Sequence, residues 1–367
     1  MFNVGVSMCS KKAEPMTKPE LNEIHFLRGA ASLMVCLFHL SLGNSALFPS
    51  SHWIKQAFLS GYVGVEVFFI LSGYVICIAF PKTEGAGNTT RFLLKRFTRI
   101  EPPYFVSILL VIVLNTFSHL ITGVPNPINY ADLVRHLVYL NNFYPGTYVN
   151  IVYWTLGIEF QYYLLIALLF PLIRRSAIHL FATLGIFFIL SCLPYPRHVA
   201  IVLPYLGYFG LGIVLSFYKQ KHIGRPLAIA GSVMFLLQLF FLASFKGLAG
   251  GIVVSSILLF WRYATNIIKF FSMISFSLYL THVPIGGKVI NLGLRYVETP
   301  LARYLLLLVS VVISIAFAFA FYKLVEQPSL KLAKKIHYKV PILSSSEEKV
   351  KVPAKAPAHV VTEPIFS

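Results

Sequence analysis

Runs of 15 to 25 apolar residues, separated by short polar stretches, recur along almost the whole chain. Some twenty apolar residues are needed for a helix to cross a hydrocarbon core, so the pattern predicts an all-α polytopic membrane protein. Spans are expected at about 24–46, 58–80, 101–122, 153–173, 177–194, 199–218, 226–245, 247–263, 269–287 and 301–323, ten in all, the eighth being short and glycine-rich. Residues 1–20 are polar and read as a flexible N-terminus, 21–335 as one transmembrane domain, and 336–367, rich in Ser, Lys, Glu and Pro, as a disordered tail. The outer loop after the third span contains an expected amphipathic helix near Tyr130–Tyr139.

Composition agrees: 57% of the 367 residues are hydrophobic and 12% charged. The net charge of +18 would suggest nucleic acid in a water-soluble protein. Here it follows the positive-inside rule instead. With both termini cytoplasmic, the inner stretches hold 24 Lys and Arg and the outer ones 7. No nucleic-acid partner is expected. Cys9, Cys36, Cys77 and Cys192 show no paired spacing, so no metal site or redox motif is expected.

Ionisable groups inside spans are costly and point to function. In the first span Arg28 and His39 stand eleven residues apart, which puts them on one helix face, roughly 16 Å apart along the axis. Arg28 falls near the cytoplasmic surface and His39 in the outer half. Glu66, Glu159 and His282 come by residue counting to depths similar to that of His39. One polar cluster is therefore expected, with His39 and Glu159 as the chemical pair of base and orienting carboxylate. Arg91, Lys95, Arg96 and Arg99 immediately precede the third span. Arg96 and Arg99 share a face and can clamp phosphate oxygens, although a juxtamembrane basic run also binds anionic lipid.

Taken in order, these segments resemble the membrane-bound acyltransferase 3 family, which includes O-antigen and other cell-surface polysaccharide acetylases. The likeness runs over about residues 21–335. It rests on Arg28 and His39, Phe68-Phe69 with Ser72-Gly73, Arg96 with Arg99, Ile100 and Pro102, and Trp154 with Glu159 and Tyr163. It continues through Gly212, Ser275, Ser277, Tyr279 and His282 to Tyr322, Glu326 and Pro328. The resemblance implies transfer of an acyl group, most often acetyl, from cytoplasmic acyl-coenzyme A to a hydroxyl of a cell-surface or lipid-linked glycan.

It further implies that His39 is the catalytic base or acyl carrier, helped by Glu159 and Arg28, and that Arg96, Arg99 and Arg28 hold the coenzyme. Ser277, Tyr279, His282, Glu66 and Ser72 are the expected oxyanion or acceptor contacts. Acetyl-CoA is expected as co-substrate, with no tightly bound cofactor. The expected location is the bacterial cytoplasmic membrane, and the resemblance allows a homo-oligomer or surface-polysaccharide biosynthesis proteins as partners. From the residues alone a proton-coupled secondary transporter or flippase stays open, because buried His and Glu also suit a proton relay.

Overall fold

A computed structural model describes residues 21–81, 86–123, 129–144, 148–196 and 198–339. The N-terminal 1–20 and most of the tail, 340–367, lie outside the described residues. The described chain is helical, with no strand. Its α-helices are α1 (Asn22–Leu42), α2 (Trp53–Phe58), α3 (Val63–Ala79), α4 (Ala86–Thr122), α5 (Tyr130–His136), α6 (Tyr153–Ile173), α7 (Ala177–Cys192), α8 (Leu206–Lys219), α9 (Arg225–Phe260), α10 (Asn266–Gly293), α11 (Pro300–Phe321) and α12 (Gln327–Lys334). Among the described residues seven helices are long and apolar enough to cross a membrane, and Ala177–Cys192 and Phe245–Phe260 are shorter apolar helices. Leu109, Leu168, Phe241 and Leu308 stand more than half exposed. Such side chains are an aggregation liability in water and a requirement against lipid. The protein is an integral membrane protein.

Local chemistry marks the helix ends. Ser176, Thr265 and Thr299 each accept a hydrogen bond from a first-turn N–H of α7, α10 and α11, and Pro300 opens α11 with a φ already suited to a helix. The two halves of α9 run antiparallel. Gly251 packs against Leu236 and Leu239, which a straight helix would hold roughly 18 Å or more away. The chain turns back between Leu239 and Gly251, so the expected seventh and eighth spans are two legs of one hairpin laid along α8.

Two corrections concern the basic end of the bundle. The helix of the third span starts at Ala86 rather than near 101, so Arg91, Lys95, Arg96 and Arg99 are carried on α4 itself, in register with its membrane part. Pro102 and Pro103 lie inside that helix. The tail expected to be disordered from 336 is held over its first residues: Arg91 donates to the His337 carbonyl (2.8 Å), Asn88 and Lys339 exchange two hydrogen bonds, and the Tyr338 hydroxyl donates to the Ala79 carbonyl (3.1 Å). Backbone acceptors there anchor polar side chains that apolar counting does not register. The expected loop helix is present as α5, ending at His136.

The core is made by close helix pairs, α1 on α10, α10 on α11 and α3 on α8. The last pair is backbone to backbone. A Cβ on Gly73 would fall on the Phe209 carbonyl, and one on Gly212 on the Ile70 carbonyl. The two glycines thus let α3 and α8 touch, as small residues do in membrane bundles. At the basic end Glu23 pairs with Lys219 (3.4 Å), whose ammonium also donates to the Leu258 carbonyl. The start of α1 and the ends of α8 and α9 therefore lie together.

Candidate active site

Toward the basic end, α1, α3, α4, α6 and α10 line an open cavity. Arg28, Arg96 and Arg99 line it together with Ser72, Glu159 and Tyr163. Arg28 reaches it from α1 and donates to Ser275 on α10 through Nε (3.3 Å) and Nη2 (3.1 Å). Arg96 lies over the rings of Phe92 (5.5 Å) and Tyr163 (5.6 Å), packing that fixes the guanidinium and leaves its N–H edge for a ligand. Among the described residues the ion pairs within 4.0 Å are Arg135–Asp132 and Lys219–Glu23, so none of the three arginines is neutralised by direct contact. Glu159 supplies the one carboxylate of the lining, and its Oε1 accepts from Ser72 (2.9 Å) and from Tyr163. Three cations against one carboxylate make an anion site, and planar guanidinium forks suit phosphate oxygens.

A second cavity, about 790 Å³, opens between α4 and α6 and shares Arg96, Glu159 and Tyr163 with the first. On its wall Tyr139 donates to both oxygens of the buried Glu101 (3.0 and 3.2 Å). Tyr139 has a left-handed backbone (φ 57°), an uncommon conformation for a tyrosine. Its ring stacks on both Tyr104 and Phe160, which holds it there.

The chemistry at the other end centres on a histidine pair. His282, fully buried, has Nδ1 at 2.8 Å from the Leu278 carbonyl, one turn back on α10. A carbonyl only accepts, so that nitrogen carries the proton and Nε2 of the neutral ring is an acceptor. His39 Nδ1, at 3.0 Å from it, is therefore the donor. The tautomer that results leaves His39 Nε2 with a free lone pair, the form a general base needs. His39 borders a third cavity of about 810 Å³, formed with α4, α10 and the segment at Val149–Ile151. Between the two ends stands Tyr279, which lines the arginine cavity. Its ring centroid is 6.2 Å from that of His282, and its hydroxyl meets Thr155 Oγ1 (2.5 Å) and donates to the Val152 carbonyl (3.3 Å).

The expected single cluster is thus divided. Arg28, Arg96, Arg99, Glu159, Ser72 and Tyr279 meet in one cavity, while His39 and His282 meet at another. Glu159 is not the partner of His39: its carboxylate is engaged by Ser72 and Tyr163 on the arginine side. Glu66 lines none of the three cavities; it lies beside Tyr208 on α8, and its Oε2 is buried without a partner. Ser277 is wholly buried, donates to Glu326 (2.6 Å) and lines none of these three cavities. Depth along a helix axis can be counted in a sequence, but azimuth about that axis cannot. Glu66 and Ser72 on α3 differ by about 120° in direction, enough to send one to α8 and the other to the cavity.

Glu326 was not among the expected site residues. It ends a π-helical turn, Tyr322–Glu326, that links α11 to α12 and turns its carboxylate inward behind Arg28 and Arg99. Such turns concentrate at functional sites. Of the tyrosines between α4 and α6, Tyr153 is buried against Ser107 (2.8 Å), whereas Tyr130 and Tyr144 are exposed. Burial, with the nearby Tyr205 phenol adding to it, pushes the Tyr148 phenol up to about 12, so it remains a donor.

Comparison with known proteins gives a consistent picture. A family model described as an acyltransferase domain, that of the acyltransferase 3 group, matches residues 21–319. The peptidoglycan O-acetyltransferase OatA of Listeria monocytogenes is 26% identical over 170 residues, 42% of this chain and 25% of that protein. A putative acetyltransferase, ORF330, of Acidianus two-tailed virus is 27% identical over 230 residues, 59% of this chain and 64% of the relative. Acyltransferase MdmB of Streptomyces mycarofaciens is 27% identical over 179 residues, 46% of this chain and 44% of the relative. The chain spans between a quarter and just under two thirds of the length of these relatives. No solved structure matches it.

Proposed function

Because the chain belongs to the membrane-bound acyltransferase 3 family, we propose that it moves an acetyl group from acetyl-coenzyme A to a hydroxyl of a glycan on the opposite side of the membrane, with His39 as base. One observation carries the reading. Three arginines with no contacting carboxylate line one cavity, and His39, tautomer-locked by His282, borders another, roughly 16 Å further along the same helix. The positive-inside rule assigns the arginine end to the cytoplasm, in the cytoplasmic membrane of a bacterium, with both termini inside.

In this mechanism the coenzyme's phosphates bind Arg28, Arg96 and Arg99, and the pantetheine arm extends past Tyr279 toward His39. The acceptor hydroxyl enters from the outer cavity and gives its proton to His39 Nε2 as its oxygen attacks the thioester carbonyl. The C–S bond breaks, and the departing thiolate takes the proton from His39. His282 holds the imidazole in its working tautomer, a role the Asp plays in a Ser-His-Asp triad, here filled by a neutral ring and a backbone carbonyl. Tyr279 lines the path between the arginine cavity and the histidine pair.

The test uses protein purified in detergent. Acetyl-coenzyme A is expected to raise its thermal unfolding temperature, and Arg96→Gln/Arg99→Gln to abolish that rise. Labelled acetyl is expected to reach a glycan acceptor with wild type and not with His39→Ala. Sugar flux across vesicles that needs no coenzyme, with no acetyl transfer, would instead identify a transporter.

A further inference from the structure

The cavity beside His39 has an unusual electrostatic make-up. Its polar lining consists of His39, four asparagines and Lys288, with no Asp or Glu. Three of the asparagines already make hydrogen bonds. Asn44 Nδ2 donates to Asn291 Oδ1 (2.7 Å), tying the end of α1 to α10, while Asn44 Oδ1 accepts from the Ala46 N–H. Asn150 donates to the Leu280 carbonyl (3.0 Å). Lys288 is half-buried, and among the described residues it takes part in neither ion pair.

Its position on α10 is not that of a lysine reaching outward to lipid. Pro284, Gly287, Lys288 and Asn291 follow one another at spacings of three, one and three and form a single stripe along the cavity wall. Within that stripe Gly287 keeps the floor open. A Cβ there would meet nothing within 4 Å, whereas one on the adjacent Gly286 would run into Leu40 and Ser314. The open space over the Gly287 backbone belongs to a cavity that the histidine base and an ammonium group also line. A half-buried cation without a counter-ion is costly, and a bound anion relieves that cost.

We propose that the outer cavity is a subsite for an anionic saccharide, in which Lys288 pairs with a carboxylate or phosphate on the acceptor while the neutral amides meet its hydroxyls and His39 meets the one to be acylated. The inference rests on the acyl-transfer reading above. It adds the charge class of the acceptor and the residue that selects it.

The experiment uses the full chain reconstituted in phosphatidylcholine nanodiscs, which carry no anionic lipid. Acceptors are matched pairs: a uronic-acid oligosaccharide with its carboxyl-reduced counterpart, and a sugar phosphate with its dephosphorylated one. Equilibrium binding of each and acetyl transfer to each are measured. Wild type is expected to favour at least one charged member by about tenfold or more in affinity and in kcat/KM, and the favoured pair tells carboxylate from phosphate. Lys288→Gln is expected to bring that ratio to within about twofold, mainly through acceptor KM, and Lys288→Arg to keep most of it. Gly287→Leu fills the floor and is expected to remove saccharide binding of both kinds while stabilisation by acetyl-coenzyme A persists, which also shows that the variant is folded.

Equal treatment of charged and neutral members by wild type overturns the proposal. So does a preference that survives Lys288→Gln, the result expected if this lysine serves lipid head groups. If acetyl-coenzyme A neither binds nor donates, the transferase reading fails instead, and the saccharide binding ratios still decide the role of Lys288.

Discussion

The two ends of this bundle handle buried polarity in opposite ways. At the basic end charge is concentrated: three guanidinium groups surround one carboxylate, with a second, Glu326, behind them, and hydroxyls from Ser72, Ser275 and Tyr163 fill in between. At the histidine end the reacting group is kept neutral, because a backbone carbonyl sets the tautomer of one ring and that ring sets the tautomer of the other. The first arrangement suits binding of a multiply charged ligand, since uncompensated cations in a poorly screened site attract phosphate strongly. The second suits proton transfer, since a base must have its lone pair free at working pH. The same helix, α1, supplies the principal residue at each end.

That contrast can be broken by substitution at each end. The largest effect is expected from His39→Ala, which should lower acetyl transfer by roughly 10²- to 10⁴-fold while acetyl-coenzyme A still stabilises the protein, as followed by labelled-acetyl transfer beside thermal unfolding. Next comes Arg96→Gln/Arg99→Gln, which removes charge-assisted hydrogen bonds worth about 1.5–3 kcal/mol each. It should raise the donor KM by at least about tenfold, with less change in kcat. If both variants lost donor binding equally, the division of labour between the ends would be refuted.

His282→Ala leaves His39 Nδ1 without its acceptor and should lower kcat by about tenfold, the value of one orienting hydrogen bond, with donor KM unchanged. His282→Gln, which can still accept, should recover part of the rate. A purely structural role for His282 would instead lower the unfolding temperature of both variants and leave kcat per folded molecule intact. The smallest effect is expected at Glu66→Gln. That side chain faces Tyr208, away from both ends, and should change activity by less than about twofold, because sites without shared partners act independently. A large loss of transfer there would show that the α3–α8 contact is part of the catalytic path.

Several of these assignments can be read in the chain itself. The eleven-residue interval between Arg28 and His39 puts them on one face at separate depths, and their surroundings differ as that interval implies. Arg96 and Arg99, three apart on a helix, do face one cavity. The pairing of His39 could not be read. Its partner His282 is 243 positions away, and Glu159 is the better match by charge and counted depth. Lys288 was equally out of reach, because a lysine near a span end is ordinary until its neighbours are known, and Glu326 stood out only among the residues of the family resemblance. The hairpin within α9 was legible as two apolar runs.

By itself the sequence determined that the chain is a helical membrane protein with its cations gathered toward one end, and it determined which positions carry costly polar groups. Hydrophobicity, charge and helical period are properties of residues and their spacing, so these conclusions need no contacts. Tertiary structure alone decided which polar groups meet: Glu159 with Ser72 and Tyr163, His39 with His282, Glu66 with Tyr208. Those pairings depend on how each helix is rotated about its axis, and that rotation is set by close contacts such as Gly73 and Gly212 against the facing backbone, summed over the whole packed bundle.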